Sequence, residues 1–252
     1  MTWMKHVRPA LAAILASGIA HAQMPGGGAP GWNAAMTKLF GDVKAFSAKA
    51  EMRALDPSGQ PAIQVPMNFA LLDNKVRMDI DLSQSKGPQA PPDQVALLKQ
   101  MAMDRVVCIV TPDKKAMQLI FPSLGAYVET PLPEEEAIAL DKDLKLHRTP
   151  LGKETIDGHP CVKNRLIMTD GKGQKAEAVV WNATDMKDFP VQMQMNDKQT
   201  TVVMRYNEVH LGKPDAKQFD VPAGFTKHSD MQQLMIAIAQ KQKQKGSQDG
   251  KK

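Results

Sequence analysis

The stretch VVWNATDMKDFPVQMQM, Val179 to Met195, carries the pattern from which the fold is read. A strand runs into Trp181, TDMKD supplies a turn, and a second strand places Phe189, Val191, Met193 and Met195 on one side. Gln192 and Gln194 fall on the other side, as expected where side chains alternate between two faces. An antiparallel hairpin with one greasy and one wet face reads in this way.

Working outward, the same period recurs on both sides. HPCVKNRLIMT precedes this hairpin, and TTVVMRYNEV follows it across a short turn. Near the start, KAFSAKAEMRA sets Phe46, Ala48, Ala50, Met52 and Ala54 against Ser47, Lys49, Glu51 and Arg53. The turn DPSG, with proline at its favoured second position, leads to AIQVPMNFALL and then to NKVRMDIDLS. RVVCIVT and KAMQLIF add two more strands across PDKK. Short turns force antiparallel neighbours.

Helical spacing is confined to four places. Trp32, Ala35, Met36, Leu39, Phe40 and Val43 form one apolar face, and Pro91-Pro92-Asp93 opens a helix reaching about Met103. PEEEAIALDKD, from Pro133, reads as a short helix with its acids at the positive end. A last helix starts near Ser229 as N-cap, with Met231, Leu234, Met235 and Ile238 in one stripe. The expected fold is mainly β (α+β). It is one large curved antiparallel sheet, an unclosed half-barrel of about 9–11 strands, with 3–4 helices over its concave face.

The first 22 residues have the parts of a secretory signal: Lys5 and Arg8, the apolar ALAAILASGIA, and the small-residue site AHA. Cleavage is expected before Gln23, leaving a flexible leader at 23–31, a sheet domain at 32–228, and a helix with a basic tail at 229–252. Removing Lys5 and Arg8 lowers the formal charge from +5 to +3, and much of that sits in the tail. A nearly neutral globular part argues against a nucleic-acid groove. No later run is long and apolar enough to span a bilayer, so the expected address is the periplasm, in soluble form.

Motifs of catalysis are absent: there is no G-x-S-x-G, H-E-x-x-H, P-loop or C-x-x-C, and the mature chain's four histidines are scattered. No catalytic residue, metal ligand or cofactor is assigned, and the chain is read as non-enzymatic. Cys108 and Cys161 either form a disulfide, as an oxidising compartment permits, or pack as buried thiols. Methionine is the informative surplus. Met1 and Met4 leave with the signal, so 15 of the 17 stay among 230 residues. The thioether side chain is unbranched and polarizable and conforms to irregular apolar partners. Met193 and Met195 therefore suit a greasy ligand first, ordinary core packing second, and a Cu(I) site third.

Taken in order, NKVRMDIDL, LGKETIDGHPCVKNRLIM, AVVWNATDMKDFPVQMQM and YNEVHLGKPDAKQFDVPAGFTK resemble the LolA/LolB-like periplasmic lipoprotein-carrier superfamily. They are most similar to a poorly characterised family of secreted bacterial proteins with that fold. The resemblance covers about residues 36 to 228. It implies a hydrophobic cavity between sheet and helices that holds an acyl chain of a lipid or lipoprotein, with membrane-associated envelope proteins as further partners. The expected lining is Phe69, Met78, Ile80, Trp181, Met193 and Met195, with entry beside the helices at 93–103 and 133–141. Arg77 or Arg53 is the expected lid anchor. The competing expectation is a structural or interaction protein whose concavity is plugged by its own helices.

Overall fold

The computed structural model describes residues 38–132, 144–169, 171, 173, 175–196 and 201–249. The expected signal peptide, the leader, most of the first helix and the helix at 133–141 lie outside these residues. Twelve strands form one unclosed sheet: β1 (Ala45–Leu55), β2 (Pro61–Leu72), β3 (Lys75–Asp81), β4 (Arg105–Thr111), β5 (Ala116–Phe121) and β6 (Ala126–Pro131), then β7 (Lys145–Ile156), β8 (His159–Thr169), β9 (Lys175–Ala183), β10 (Phe189–Asn196), β11 (Thr201–His210) and β12 (Thr226–His228). Two helices of regular length accompany them among the described residues, α1 (Pro92–Gln100) and α2 (Met231–Asp249).

The spatial order is β12-β6-β5-β4-β3-β2-β1-β11-β10-β9-β8-β7. Two antiparallel meanders, β1–β6 and β7–β11, are joined along the pairing of β1 with β11. That junction brings together residues more than a hundred positions apart, such as Met52 and Met204. Short turns set most of each meander, and segment 82–104 with α1 joins β3 to β4, whereas the junction requires two apolar rows to match.

Two expectations about the sheet need correction. The sheet has twelve strands rather than 9–11, because β12 adds a short edge. β12 also pairs in parallel with β6, since the connection at 211–225 is long enough to cross the sheet. Of the 3–4 expected helices two are present among the described residues, and the helix at 133–141 and most of the first one lie outside them. The start of α2 also differs in detail: Asp230 rather than Ser229 caps it, its Oδ1 accepting from the Gln233 amide at 2.8 Å. Ser229 supports the cap by donating from Oγ to Asp230 Oδ2 at 2.9 Å.

Cross-strand register defines the inner face of the sheet. Ala48, Phe69, Met78, Cys108, Leu119 and Val128 form one row from β1 to β6, without a polar residue. A second row, Ala50, Met67, Ile80 and Val106, lies beside it. At the β4–β6 end of this face, Leu234 and Ile238 of α2 bury against Val106, Phe121, Ala126 and Val128, with Met101 and Met103 beside them. The opposite, outer face at this end carries Val107, Ile109 and Ile120, with Val221 and Phe225 of the 211–225 connection packed on them. The far edge differs. Every residue of β7 but Ile156 is exposed, including Leu146 and Leu151.

Candidate functional site

The centre of the inner face is built by four neighbouring strands, β2, β1, β11 and β10. Small residues on β1, Ala48 and Ala50, stand between large rings on either side. Phe69 of β2 and Tyr206 of β11 are separated by β1, a backbone span of about 9.5 Å in a flat sheet. Their ring centroids are nevertheless 5.4 Å apart. Phe46 and Phe189, on β1 and β10 with β11 between them, approach to 4.8 Å. Rings that converge over an intervening strand mark the inside of a bend, so this face is concave.

Phe40 lies over the centre. Its ring is within 4.6 to 5.9 Å of Phe46, Phe69, Phe189 and Tyr206. It ends a helical turn that includes Lys38 and Leu39, and Gly41 follows at φ +57, in the left-handed region where glycine avoids the Cβ penalty. The chain therefore turns sharply just beyond the ring that covers the face.

Beside the rings is a line of thioethers. Met52 of β1 stands opposite Met204 of β11, and Met204 opposite Met193 of β10. Met195, one inward position further along β10, faces Val202 and Ala178. All six expected lining residues belong to or pack against one buried cluster: Phe69, Met78, Trp181, Met193 and Met195 are buried in it, and half-buried Ile80 packs against it. Trp181 differs from the other five in direction. Its neighbour Val180 pairs with Met193, so alternation turns Trp181 to the outer face, opposite Lys163 and Gln192. There its Nε1 donates to Glu154 Oε2 at 2.7 Å, and Lys163 Nζ lies 4.9 Å from the ring centroid. Hydrogen bonds from Lys163 and then from Trp181 hold the Glu154 carboxyl below its ordinary value.

The two arginines also face outward. Arg77 pairs with Asp79 through both Nε and Nη2, while its Nη1 donates to the Gln218 carbonyl of the 211–225 connection. It holds a strap on the outer face. Arg53 lies 3.0 Å from Glu51 on its own strand. The cysteines resolve into buried thiols: Cys108 is on β4 and Cys161 on β8, with six strands between, and no disulfide joins them. Cys161 donates from Sγ to the His159 carbonyl at 3.3 Å, and burial pushes its thiol up.

Sequence reasoning missed Tyr206, although alternation in TTVVMRYNEV places it on the same side as Met204. It is 2% exposed, and among the described residues nothing accepts from or donates to its hydroxyl. An orphaned buried hydroxyl costs about 1–3 kcal/mol. Burial holds the phenol well above its usual pKa, so the group remains a neutral O–H.

A shallow depression of about 260 Å³ lined by Glu177, Ala178, Val179, Gln194 and Asn196 lies at the ends of β9 and β10. Val179 and Gln194 are cross-strand partners on the outer face, so it is separate from the methionine row. Among the described residues no group of three or more histidine, cysteine or acidic side chains is placed to hold a metal, and no helix is long and apolar enough to cross a membrane.

Comparison with protein-family models and with curated sequences finds no match. Among solved structures, the chain is similar to a LolA superfamily protein from Nitrosomonas europaea, at 10% identity and a TM-score of 0.38, covering 75% of this chain and 94% of that one. It is similar to the lipoprotein LppX of Mycobacterium tuberculosis at 12% identity and a TM-score of 0.37, covering 71% and 98% of the two chains. LprF of Mycobacterium bovis gives 16% identity and a TM-score of 0.37, covering 77% and 98%. At these scores none of the three says what this chain does.

Proposed function

We propose that this is an exported, non-enzymatic binding protein of the periplasm that holds an acyl chain of a lipid or lipoprotein on its concave face. The observation that carries the reading is the row Met52–Met204–Met193 beside the aromatic centre, on a face whose row from Ala48 through Phe69, Met78, Cys108 and Leu119 to Val128 has no polar residue. Thioethers conform to a chain that can adopt many shapes. Each methylene moved from water onto such a surface contributes about 0.8 kcal/mol. Phe69, Met78, Ile80, Met193 and Met195 would line the site, and Trp181 would support it from behind. The opposing cost is displacement of Phe40, which occupies the centre of the face.

A second reading is favoured by the same burial. Met193 is 0% exposed and Met204 1%, as expected of a face plugged for good by its own chain. The protein would then be a structural or interaction component of the envelope. Native mass spectrometry of the mature protein, isolated from the periplasm without detergent, separates the two. An adduct that releases a fatty-acyl species supports the acyl site. A bare mass that takes up no added lysolipid supports the plugged face, and an adduct of one copper ion would instead favour the thioethers as metal ligands.

A further inference from the structure

Tyr206 is the polar member of a cage otherwise made of hydrocarbon. Four phenylalanine rings, Phe40, Phe46, Phe69 and Phe189, stand 5.4 to 6.1 Å from its centroid, all steeply inclined to it. Ala50 lies across the strand and Met204 two positions before it. A phenylalanine in this place would fill the same space without an unsatisfied hydroxyl. Packing alone therefore gives no reason for the oxygen.

A trapped water is a poor explanation, because a buried water needs two to four polar partners and the rings packed around Tyr206 are four phenylalanines. What fits is an acceptor delivered by a ligand. Because the phenol keeps its proton, it acts as donor to that acceptor. Charged acceptors are disfavoured, since an unpaired carboxylate or phosphate would be desolvated here at great cost. A carbonyl oxygen carries two lone pairs, no charge and an attached chain that matches the rest of the face.

Resting on the reading of the inner face as an acyl site, we propose that Tyr206 donates a hydrogen bond to the ester or amide carbonyl of the bound acyl group. The face then reads more than greasiness. It distinguishes acylated molecules from ethers and plain hydrocarbons of the same length.

The test compares palmitoyl lysophosphatidylcholine with its hexadecyl ether analogue, which lacks the carbonyl, on the full mature chain and on Tyr206→Phe. The native protein is expected to hold the ester about tenfold more tightly, the size of one net hydrogen bond. Tyr206→Phe is expected to bind the two equally and to be at least as stable without lipid, having lost an unsatisfied group. The infrared carbonyl stretch of the bound ester should lie lower in the native complex than in the variant, a difference that a purely structural role would not produce. Equal binding of both lipids by the native protein, or an ester preference that survives in Tyr206→Phe, overturns the role of Tyr206 and leaves the acyl site standing. If neither lipid binds the native protein, the acyl site itself fails, and the proposal with it.

Discussion

Two patches of the same inner face are buried in different ways. At the β4–β6 end, α2 lays Leu234 and Ile238 into the sheet at helical spacing, and Met101 and Met103 close the side. At the centre, one ring on a short turn, Phe40, covers four aromatic neighbours, with Gly41 next to it. The first patch is held by an element that is itself anchored over several turns and capped by Asp230. The second is held in part by a side chain that an acyl chain can imitate. Burial alone does not separate a core from an occupied site. How the covering group is attached does.

The largest effect is expected from Leu234→Ala combined with Ile238→Ala. Each deletion in a packed core costs about 2–5 kcal/mol, and urea denaturation should show a loss near the upper end for the pair. Added lysolipid should restore none of it. Phe40→Ala is expected to cost about 3 kcal/mol in lipid-free protein. Here lysolipid should restore part of the loss, because the alkyl chain fills the space that the ring leaves. Equal rescue of both variants, or of neither, would erase the distinction between the two patches.

Arg77→Ala tests the outer side of the well-covered end. It leaves the Gln218 carbonyl and Asp79 without their donor, and a loss of about 1–3 kcal/mol is expected, with faster proteolysis within 211–225. Lipid binding should be unchanged, since the strap lies behind the site. A change in binding without a change in proteolysis would return Arg77 to the role of a lid anchor.

The smallest effect concerns the clasp of β12 on β6. Lys227 donates to Glu129 at 2.6 Å, and Gln118 donates to the same carboxylate at 2.7 Å. Hydrogen bonds from Lys227 and then Gln118 lower the Glu129 pKa, and the bond to Glu129 raises that of Lys227. The contribution of Glu129 is thus full above its ordinary value of 4.5 and is lost as pH falls through its depressed folded value. That of Lys227 is full below 10.5 and is lost as pH rises through its raised folded value. Thermal midpoints measured across the acid limb should show a small extra fall that Glu129→Gln removes. An unchanged acid limb in that variant would mean that β12 is held by its backbone pairing alone.

Much of this architecture was legible because strand alternation is a local property. The runs around Phe46, Phe69, Met78 and Met193 each separate apolar from polar residues, and each became a strand with its apolar side inward. Trp181 has a direction that is not legible in the sequence, for a specific reason. It ends the apolar run Val179-Val180-Trp181, where alternation is silent, and only the pairing of Val180 with Met193 shows which neighbour faces in. Arg77 illustrates the same limit. Its outward direction follows from Val76 and Met78, but its partner lies at Gln218, far along the chain. Tyr206 sat on a readable face, yet its lack of a hydrogen-bond partner among the described residues is a property of four distant phenylalanines.

By itself, then, the sequence determined the strands, their turns, the antiparallel meanders and which side of most strands is apolar, because each depends on residues within a few positions of one another. Only the tertiary structure decided that β1 and β11 meet, that Met52, Met204 and Met193 form one row, and that Cys108 and Cys161 stay apart. It likewise decided that Phe40 covers the concavity and that β12 closes on β6 in parallel. These are long-range choices, set by how well two finished surfaces match, and that match is written in no single stretch of the chain.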